Sequence, residues 1–388
     1  MKYFRYAIVL AMLFSLAVSA TEVNLVVTVP ASTPDGEPVC ITGNQPQLSD
    51  WNGSGIRLRE IGPNLFSFKG DFNPGLELEF KFNRGSFESV EKTAQGHEKP
   101  NRKLRVFGNR IEEKCQVEAW ADQIQLPDHQ PQITGNYKIM RQFKSKFLKP
   151  ARDIIVWLPK DYDSSRSKRY PVVYMHDGGN LFDPGTSFGG VDWGVDEAMT
   201  EGIEKGMLPA AIIVGIANTA DRMSEYTPFP DPKHKGGDGE NYAKFIVEVL
   251  KPEIDRKFRT LADRNNTFIG GSSLGGLISL YIGISRPQTF SGIMAISPSI
   301  WWANGGIIDW LLKNKIEKYK GRIWVDMGTR EGEEAIEFSR KLNLVIKEKA
   351  PGFKGLVYKE FPGGTHSEGS WQKRILLPLK FVLPVIKP

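Results

Sequence analysis

The run Gly271-Ser272-Ser273-Leu274-Gly275 constrains this chain more than any other stretch of it. Asn266-Thr267-Phe268-Ile269 before it read as a buried strand, and Leu277-Ile278-Ser279-Leu280-Tyr281-Ile282 after it read as a helix. A G-x-S-x-G pattern between strand and helix forces Ser273 into a sharp, strained turn with its hydroxyl exposed. Side chains at the flanking positions would collide with the neighbouring strand and helix, so glycine stands there. The turn also sets the free N–H groups of a helix N-terminus beside the serine, where an oxyanion would form.

The surroundings of this turn repeat its strand–helix rhythm. Short apolar runs at residues 153–158, 172–175, 210–216, 266–270, 293–296, 323–327 and 356–361 alternate with helical segments at 242–258, 277–284, 307–318 and 334–349. That alternation predicts an α/β domain over residues 136–388, built on a doubly wound, mostly parallel sheet. Residues 21–120 are different. Val23, Leu25, Val27 and Val29 alternate with more polar residues, as do Leu76, Leu78, Phe80 and Phe82 with Glu77, Glu79, Lys81 and Asn83. With Thr33-Pro34-Asp35-Gly36 and Asn73-Pro74-Gly75 as turn signals, a small all-β sandwich is expected there. The polar, proline-containing stretch 121–135 reads as a linker. A length of 388 residues fits two domains.

Lys2 and Arg5 precede an apolar run over residues 7–18, and Val18-Ser19-Ala20 offers small residues for cleavage. Residues 1–20 are thus expected to be a cleaved signal peptide, which places the protein outside the cytoplasm, secreted or periplasmic. No later run is apolar enough to span a bilayer. Removing the signal lowers the formal net charge from +6 to +4. The basic residues are scattered, so no nucleic-acid surface is expected. Only Cys40 and Cys115 are present. An exported chain with one pair allows a disulfide, worth about 4 kcal/mol in the chain-entropy model; the alternative is two separate buried thiols.

A serine hydroxyl needs a base, and the base needs an orienting carboxylate. Of the five histidines, His366 lies in Pro362-Gly363-Gly364-Thr365-His366-Ser367, directly after the last expected strand, where this architecture carries its base. The acid should follow the preceding strand, Arg322-Ile323-Trp324-Val325-Asp326-Met327. Glu331 sits in the loop after it, and Asp326, on the strand itself, is the alternative. The order Ser273, Glu331, His366 is that of α/β-hydrolases. Oxyanion donors are expected from the N–H of Leu274 and from Asp177-Gly178-Gly179-Asn180, with Gly179 as the second donor.

These residues carry a resemblance. Tyr174-Met175-His176-Asp177-Gly178-Gly179-Asn180-Leu181-Phe182, Arg222-Met223-Ser224-Glu225-Tyr226-Thr227-Pro228, the serine turn, Ser297-Pro298-Ser299-Ile300-Trp301-Trp302 and the Gly-Gly-Thr-His loop resemble the putative esterase family. That family includes esterase D, siderophore esterases, feruloyl and acetylxylan esterases, and mycolyltransferases. The resemblance implies an α/β-hydrolase fold and serine ester hydrolysis with neither metal nor cofactor. Gly179 stands where the family usually has a polar residue. Val39-Cys40-Ile41-Thr42-Gly43-Asn44 through Trp51-Asn52, with Phe80-Lys81-Phe82, resembles the family 20 starch-binding module. There the resemblance implies glycan contacts at Trp51 and Lys81; the module's second tryptophan is missing, and Phe87-Glu88-Ser89 occupies its region.

Trp301, Trp302, Phe182, Tyr226 and Trp193 are candidates to line a pocket for an aromatic acyl or alcohol group. Asn180 and Arg222 are candidate polar contacts, Arg222 having Asp221 or Glu225 as a structural alternative. The expectation is a serine esterase acting on a small-molecule or polysaccharide ester, carbohydrate-linked or of siderophore type. A non-catalytic carbohydrate-binding protein and an acyltransferase with the same residues are the alternatives.

Overall fold

Alternation makes the N-terminal strands one-sided. In Thr21–Thr28, Val23, Leu25 and Val27 are buried, while Glu22, Asn24 and Val26 are half-exposed. This strand pairs antiparallel with Leu65–Phe72 and parallel with Arg110–Gln116, and Arg59–Gly62 extends the sheet. A second sheet runs Ile56–Arg57, Cys40–Gly43, Glu77–Asn83, Arg102–Arg105. The two share one apolar core containing Val23, Ile41, Phe68, Phe80, Phe82 and Trp120, which makes a sandwich.

The computed structural model describes residues 19–94, 96, 99–123, 131–314, 316 and 319–383. It divides into two units, Met1–Leu126 and Pro127–Pro388. The expected signal peptide, apart from residues 19 and 20, lies outside the described residues. So do residues 124–130 of the expected linker. At its ends, Ala121–Gln123 forms a short 3-10 turn of the first unit, and the Thr134 carbonyl accepts from Trp157 of the second.

Two expectations for the first unit are corrected. Cys40 and Cys115 are free and buried, not bridged. They lie on strands of different sheets, in different surroundings: Cys40 near Arg57 and the Gly85 backbone, Cys115 near Arg102 and Glu91. Burial raises both thiols, that of Cys115 to about 11. Lys81 is fully buried, so it presents no surface to a sugar. Alternation should point it outward, but the Glu91–Lys92 strand covers the end of its own strand, where Phe82 N–H donates to the Glu91 carboxylate. Trp51 ends a 3-10 turn and is half-buried.

In the second unit the strands are buried on both faces. Eight of them form one sheet: β1 (Asn136–Phe143), β2 (Arg152–Leu158), β3 (Val172–His176), β4 (Ile212–Ile216), β5 (Thr267–Ser272), β6 (Gly292–Ile296), β7 (Arg322–Gly328) and β8 (Leu356–Phe361). Their spatial order is β1-β2-β4-β3-β5-β6-β7-β8. Pairing is parallel from β4 through β8 and antiparallel for β1–β2 and β2–β4. Successive residues feed opposite cores. Val172 and Tyr174 join the layer containing Ile269, Leu277 and Ile346; Val173 and Met175 join the layer with Trp193, Met199 and Leu379. The continuous apolar runs of the sequence are therefore parallel strands sandwiched between helices.

The helix α1 (Leu274–Ser285) follows β5 directly and is buried along almost its whole length. The helical segment expected over 242–258 is continuous but not uniform. Phe245–Leu250 widens to a π-helical turn in which Lys251 N–H reaches back five residues to the Ile246 carbonyl. Pro252, next in the chain, has no N–H to give to Glu248, which accounts for the disturbance.

With no disulfide, two thiols should titrate with a chromogenic disulfide reagent after denaturation and neither in the native protein. The melting temperature should be unchanged by reductant, and a fall on reduction would restore the crosslink.

Candidate active site

The polar groups that chemistry requires collect at the C-terminal ends of β3, β5, β6, β7 and β8, where an open parallel sheet forms its crevice. Ser273 joins β5 to α1 at φ 56°, ψ −126°, a conformation that costs a non-glycine residue about 1–3 kcal/mol. Gly271 makes that turn possible: a Cβ there would come within 3.0 Å of the Gly275 backbone and the His176 ring. Leu274, the first residue of α1, has an N–H with no partner inside the helix.

Ser273 Oγ lies 2.9 Å from His366 Nε2, and His366 Nδ1 lies 2.9 Å from Glu331 Oε2. Sequence reasoning placed these three residues in separate loops, and the fold brings them into one hydrogen-bonded chain. The Glu331 side chain has no exposure. Its Oε1 accepts from Ser297 Oγ at 2.7 Å and from Gly328 N–H at 2.6 Å. Burial pushes the carboxyl upward, but the hydrogen bonds from His366, Ser297 and Gly328 outweigh it and hold Glu331 below its ordinary range. Gly328 must be glycine, because a Cβ would meet Glu331 Oε1 at 2.6 Å and the Gly364 backbone at 2.4 Å.

Asp326 is placed elsewhere. It is fully buried and accepts from Arg374 at 2.9 and 3.1 Å and from Trp324 Nε1 at 2.6 Å. Burial raises it, with Arg374 opposing. Arg374 Nη2 also donates to Ser297 Oγ at 2.6 Å, and Trp371 Nε1 does so at 3.0 Å. Ser297 thus uses its one donor on Glu331 and both lone pairs on Arg374 and Trp371.

The expected oxyanion turn is a 3-10 turn, Gly178–Asn180, opened by Asp177 at a left-handed φ of 55°. It lies against the start of α1, since a Cβ on Gly275 would meet the Asp177 carboxylate at 3.4 Å. A Cβ on Gly179 would meet only Thr186 O at 3.6 Å, so the space of the family's polar residue is open here. Arg222 grips Asp177 with two bonds of 2.6 and 2.8 Å. Its partner is Asp177, not the expected Asp221 or Glu225; Glu225 pairs with Arg152. Tyr226 is fully buried and its hydroxyl accepts from Asp177 N–H at 3.1 Å, so it supports the turn and is no pocket wall. His176, beneath it, is buried against Tyr242, and burial lowers it to about 3, leaving it neutral.

Trp301 and Trp302 separate. Trp301 is 37% exposed, while Trp302 is buried with Nε1 bonded to the Phe229 carbonyl at 2.8 Å. Phe182 and Trp193 are buried as well, Trp193 packing on Trp371. Asn180 is half-buried; its Oδ1 accepts from Phe188 N–H, and its Nδ2 lies 3.5 Å from Glu368.

Sequence reasoning missed Ser297, Ser299, Arg374, Trp371 and Glu368. Ser297 and Ser299 had a signal: they directly follow a strand, and Ser299 Oγ stands 3.2 Å from Ser273 Oγ. Arg374 and Trp371 had none beyond lying soon after His366. Glu368 is raised to about 7 by burial, with Asp177 adding to the shift.

Residues 145–381, more than half of the chain, match the family "Putative esterase". The chain belongs to that family. Residues 21–116 match "Starch binding domain". Among similar proteins, the ferri-bacillibactin esterase BesA of Bacillus subtilis is 33% identical over 160 residues, covering 34% of this chain and 49% of BesA. The endo-1,4-beta-xylanase/feruloyl esterase of Xylanibacter ruminicola is 28% identical over 231 residues, 56% of this chain and 27% of that protein. The chain thus spans half or less of the length of these two relatives. In fold it is similar to the enterobactin esterase FES of Shigella flexneri, determined in the presence of enterobactin. The TM-score is 0.55 at 16% identity, covering 95% of this chain and 94% of that one. The putative esterase family is one of carboxylic ester hydrolases, and the sheet order here is the α/β-hydrolase order. Among the described residues no helix is long and apolar enough to cross a membrane.

Arg374→Met should destabilise the protein by about 3–5 kcal/mol in chemical denaturation, because Asp326 is left buried and unpaired. Glu368 gives a pH dependence. Its folded pKa, about 7, lies above the ordinary value of 4.5, so between these pH values the folded state binds more protons than the unfolded chain. Stability should therefore fall as pH rises through that window. Glu368→Gln should flatten this fall, as read from melting temperatures at pH 5, 6, 7 and 8.

Proposed function

We propose that this protein is an exported serine esterase that works through an acyl-enzyme, with Ser273 as nucleophile, His366 as general base and then acid, and Glu331 as the orienting carboxylate. The observation that carries this reading is the chain Ser273 Oγ, His366 Nε2, His366 Nδ1, Glu331 Oε2, each link 2.9 Å long. Glu331, held ionised, fixes the Nδ1–H tautomer, so that Nε2 faces Ser273 with its lone pair.

As Oγ attacks the ester carbonyl, its proton passes to Nε2. The oxyanion forms towards the N–H groups of Leu274 and Gly179. Collapse expels the alcohol, which takes the proton from His366, and water repeats the sequence to release the acid. The Arg222–Asp177 pair and the Tyr226 hydroxyl act as positioning groups that hold the turn bearing Gly179.

The exposed Trp301 ring is the platform for an aromatic group of the substrate, by stacking. This favours esters that carry an aromatic group, as the feruloyl ester in the name of the Xylanibacter ruminicola relative does. In the starch-binding-like unit, Trp51 is the expected glycan contact with accessible surface, since Lys81 is buried.

The purified protein should hydrolyse p-nitrophenyl acetate. Ser273→Ala should lower kcat by about 10⁶, and Glu331→Gln by about 10⁴. Retained activity in Ser273→Ala would overturn the reading. A catecholate trilactone compared with a feruloylated sugar then assigns the substrate class, and Trp301→Ala should raise KM for whichever is turned over.

A further inference from the structure

Asp192, Asp196 and Glu197 form an acidic cluster outside the catalytic chain. Each offers one carboxylate oxygen, and the three oxygens lie within 4.8 Å of one another. Asp196 is completely buried and Asp192 nearly so, while Glu197 is exposed and leaves one side open to solvent. The donors around them are few. Thr134 N–H caps Asp196 Oδ2 at 2.6 Å, Gly194 N–H caps Asp192 Oδ2 at 3.0 Å, and the Thr134 hydroxyl donates to Glu197 Oε1 at 3.0 Å. Asp196 Oδ1 is buried with no hydrogen-bond donor. No lysine or arginine among the described residues forms an ion pair with any of the three.

A buried carboxylate oxygen without a donor is destabilising, and a second carboxylate beside it adds repulsion. A bound cation removes both penalties. We infer that Asp192, Asp196 and Glu197 form a calcium-binding site. The all-oxygen donor set is that of a hard cation. Calcium holds oxygens at about 2.3–2.6 Å, so ligands on opposite sides stand about 4.6–5.2 Å apart. Three oxygens that all lie within 4.8 Å of one another stay inside that limit. Magnesium demands near-ideal octahedral geometry and gives up its water reluctantly, so a site of three carboxylates suits the more tolerant calcium better.

The site is fastened to the oxyanion turn. Trp193 N–H donates to the Asn180 carbonyl at 2.9 Å, and Val195 N–H to the Leu181 carbonyl at 3.1 Å. Gly194 between them, at φ 57°, lies against Glu197 and Gln372, in the short helix that follows His366. A cation at the cluster therefore braces the segment that carries Gly179 and Asn180 from behind, without touching substrate. The alternative, a proton shared between Asp196 and Glu197, satisfies the same oxygens and needs no metal; burial and the hydrogen bond with Glu197 do raise Asp196.

Calorimetry and thermal melting separate the two. The full chain, freed of metal with EGTA, is titrated with calcium chloride and, in parallel, magnesium chloride. One equivalent of calcium should bind, and the melting temperature should rise by about 5 °C or more at a hundredfold excess over Kd, with a smaller response to magnesium. Asp196→Asn should abolish the calcium response while the protein remains folded, because it also removes the repulsion; Asp192→Asn should weaken it. No heat and no shift with calcium would overturn the site and leave the shared proton. A response undiminished in both variants would also overturn it, by placing the cation elsewhere. The readouts are binding and melting, so they stand whether or not Ser273 is the nucleophile.

Discussion

The ionised carboxylate of Glu331 sits where water cannot reach it, and the residues around the crevice are arranged to keep it charged. Its solvation is replaced by a fixed set of donors: Ser297, the Gly328 N–H and the His366 ring. Ser297 is in turn held by Arg374 and Trp371, and Arg374 is anchored by Asp326. A half-satisfied network of this kind would be worse than an apolar one, because each lost donor exposes a charge in a low-dielectric interior. The ends of β6 and β7 and the helix after His366 are therefore tied to one another through a single buried ion system.

The same logic repeats on the other side of Ser273. Asp177 occupies a left-handed conformation that it would not choose alone. Arg222 clamps its side chain and Tyr226 satisfies its N–H, and both are carried on the segment after β4. The turn bearing Gly179 is thus set by strain that its neighbours over-determine. The aromatic residues beneath it, Tyr226, Tyr242 and the neutral His176, pack as a buried layer with complementary hydrogen bonds. Their role is stiffness at the crevice floor.

Much of this was legible in the chain. Period-two alternation marked the sandwich, and long apolar runs marked strands covered on both faces, because burial alone decides those patterns. The serine turn was legible because its glycines answer a local steric demand. Other readings failed for identifiable reasons. Lys81 lies on the polar side of its strand by alternation, and only the covering segment at Glu91 buries it. Tyr226 and Trp302 belong to the motifs expected to line the pocket, and both face the core. The two cysteines invite a bridge by count, yet they sit on different sheets.

The sequence by itself determined the elbow, the two-domain division into β and α/β parts, and the chain order of serine, carboxylate and histidine, since these follow from local sterics, hydrophobic period and the position of residues at strand ends. Tertiary structure decided which of the two carboxylates, Glu331 or Asp326, meets His366. Both carboxylates lie within six residues on one strand and its loop; the loop position favoured Glu331 without fixing its partner. Arg374, 48 residues beyond Asp326, does so by pairing with it and leaving Glu331 to His366. Long-range contacts between buried charges have no period and no local signature, so only the packed fold assigns them.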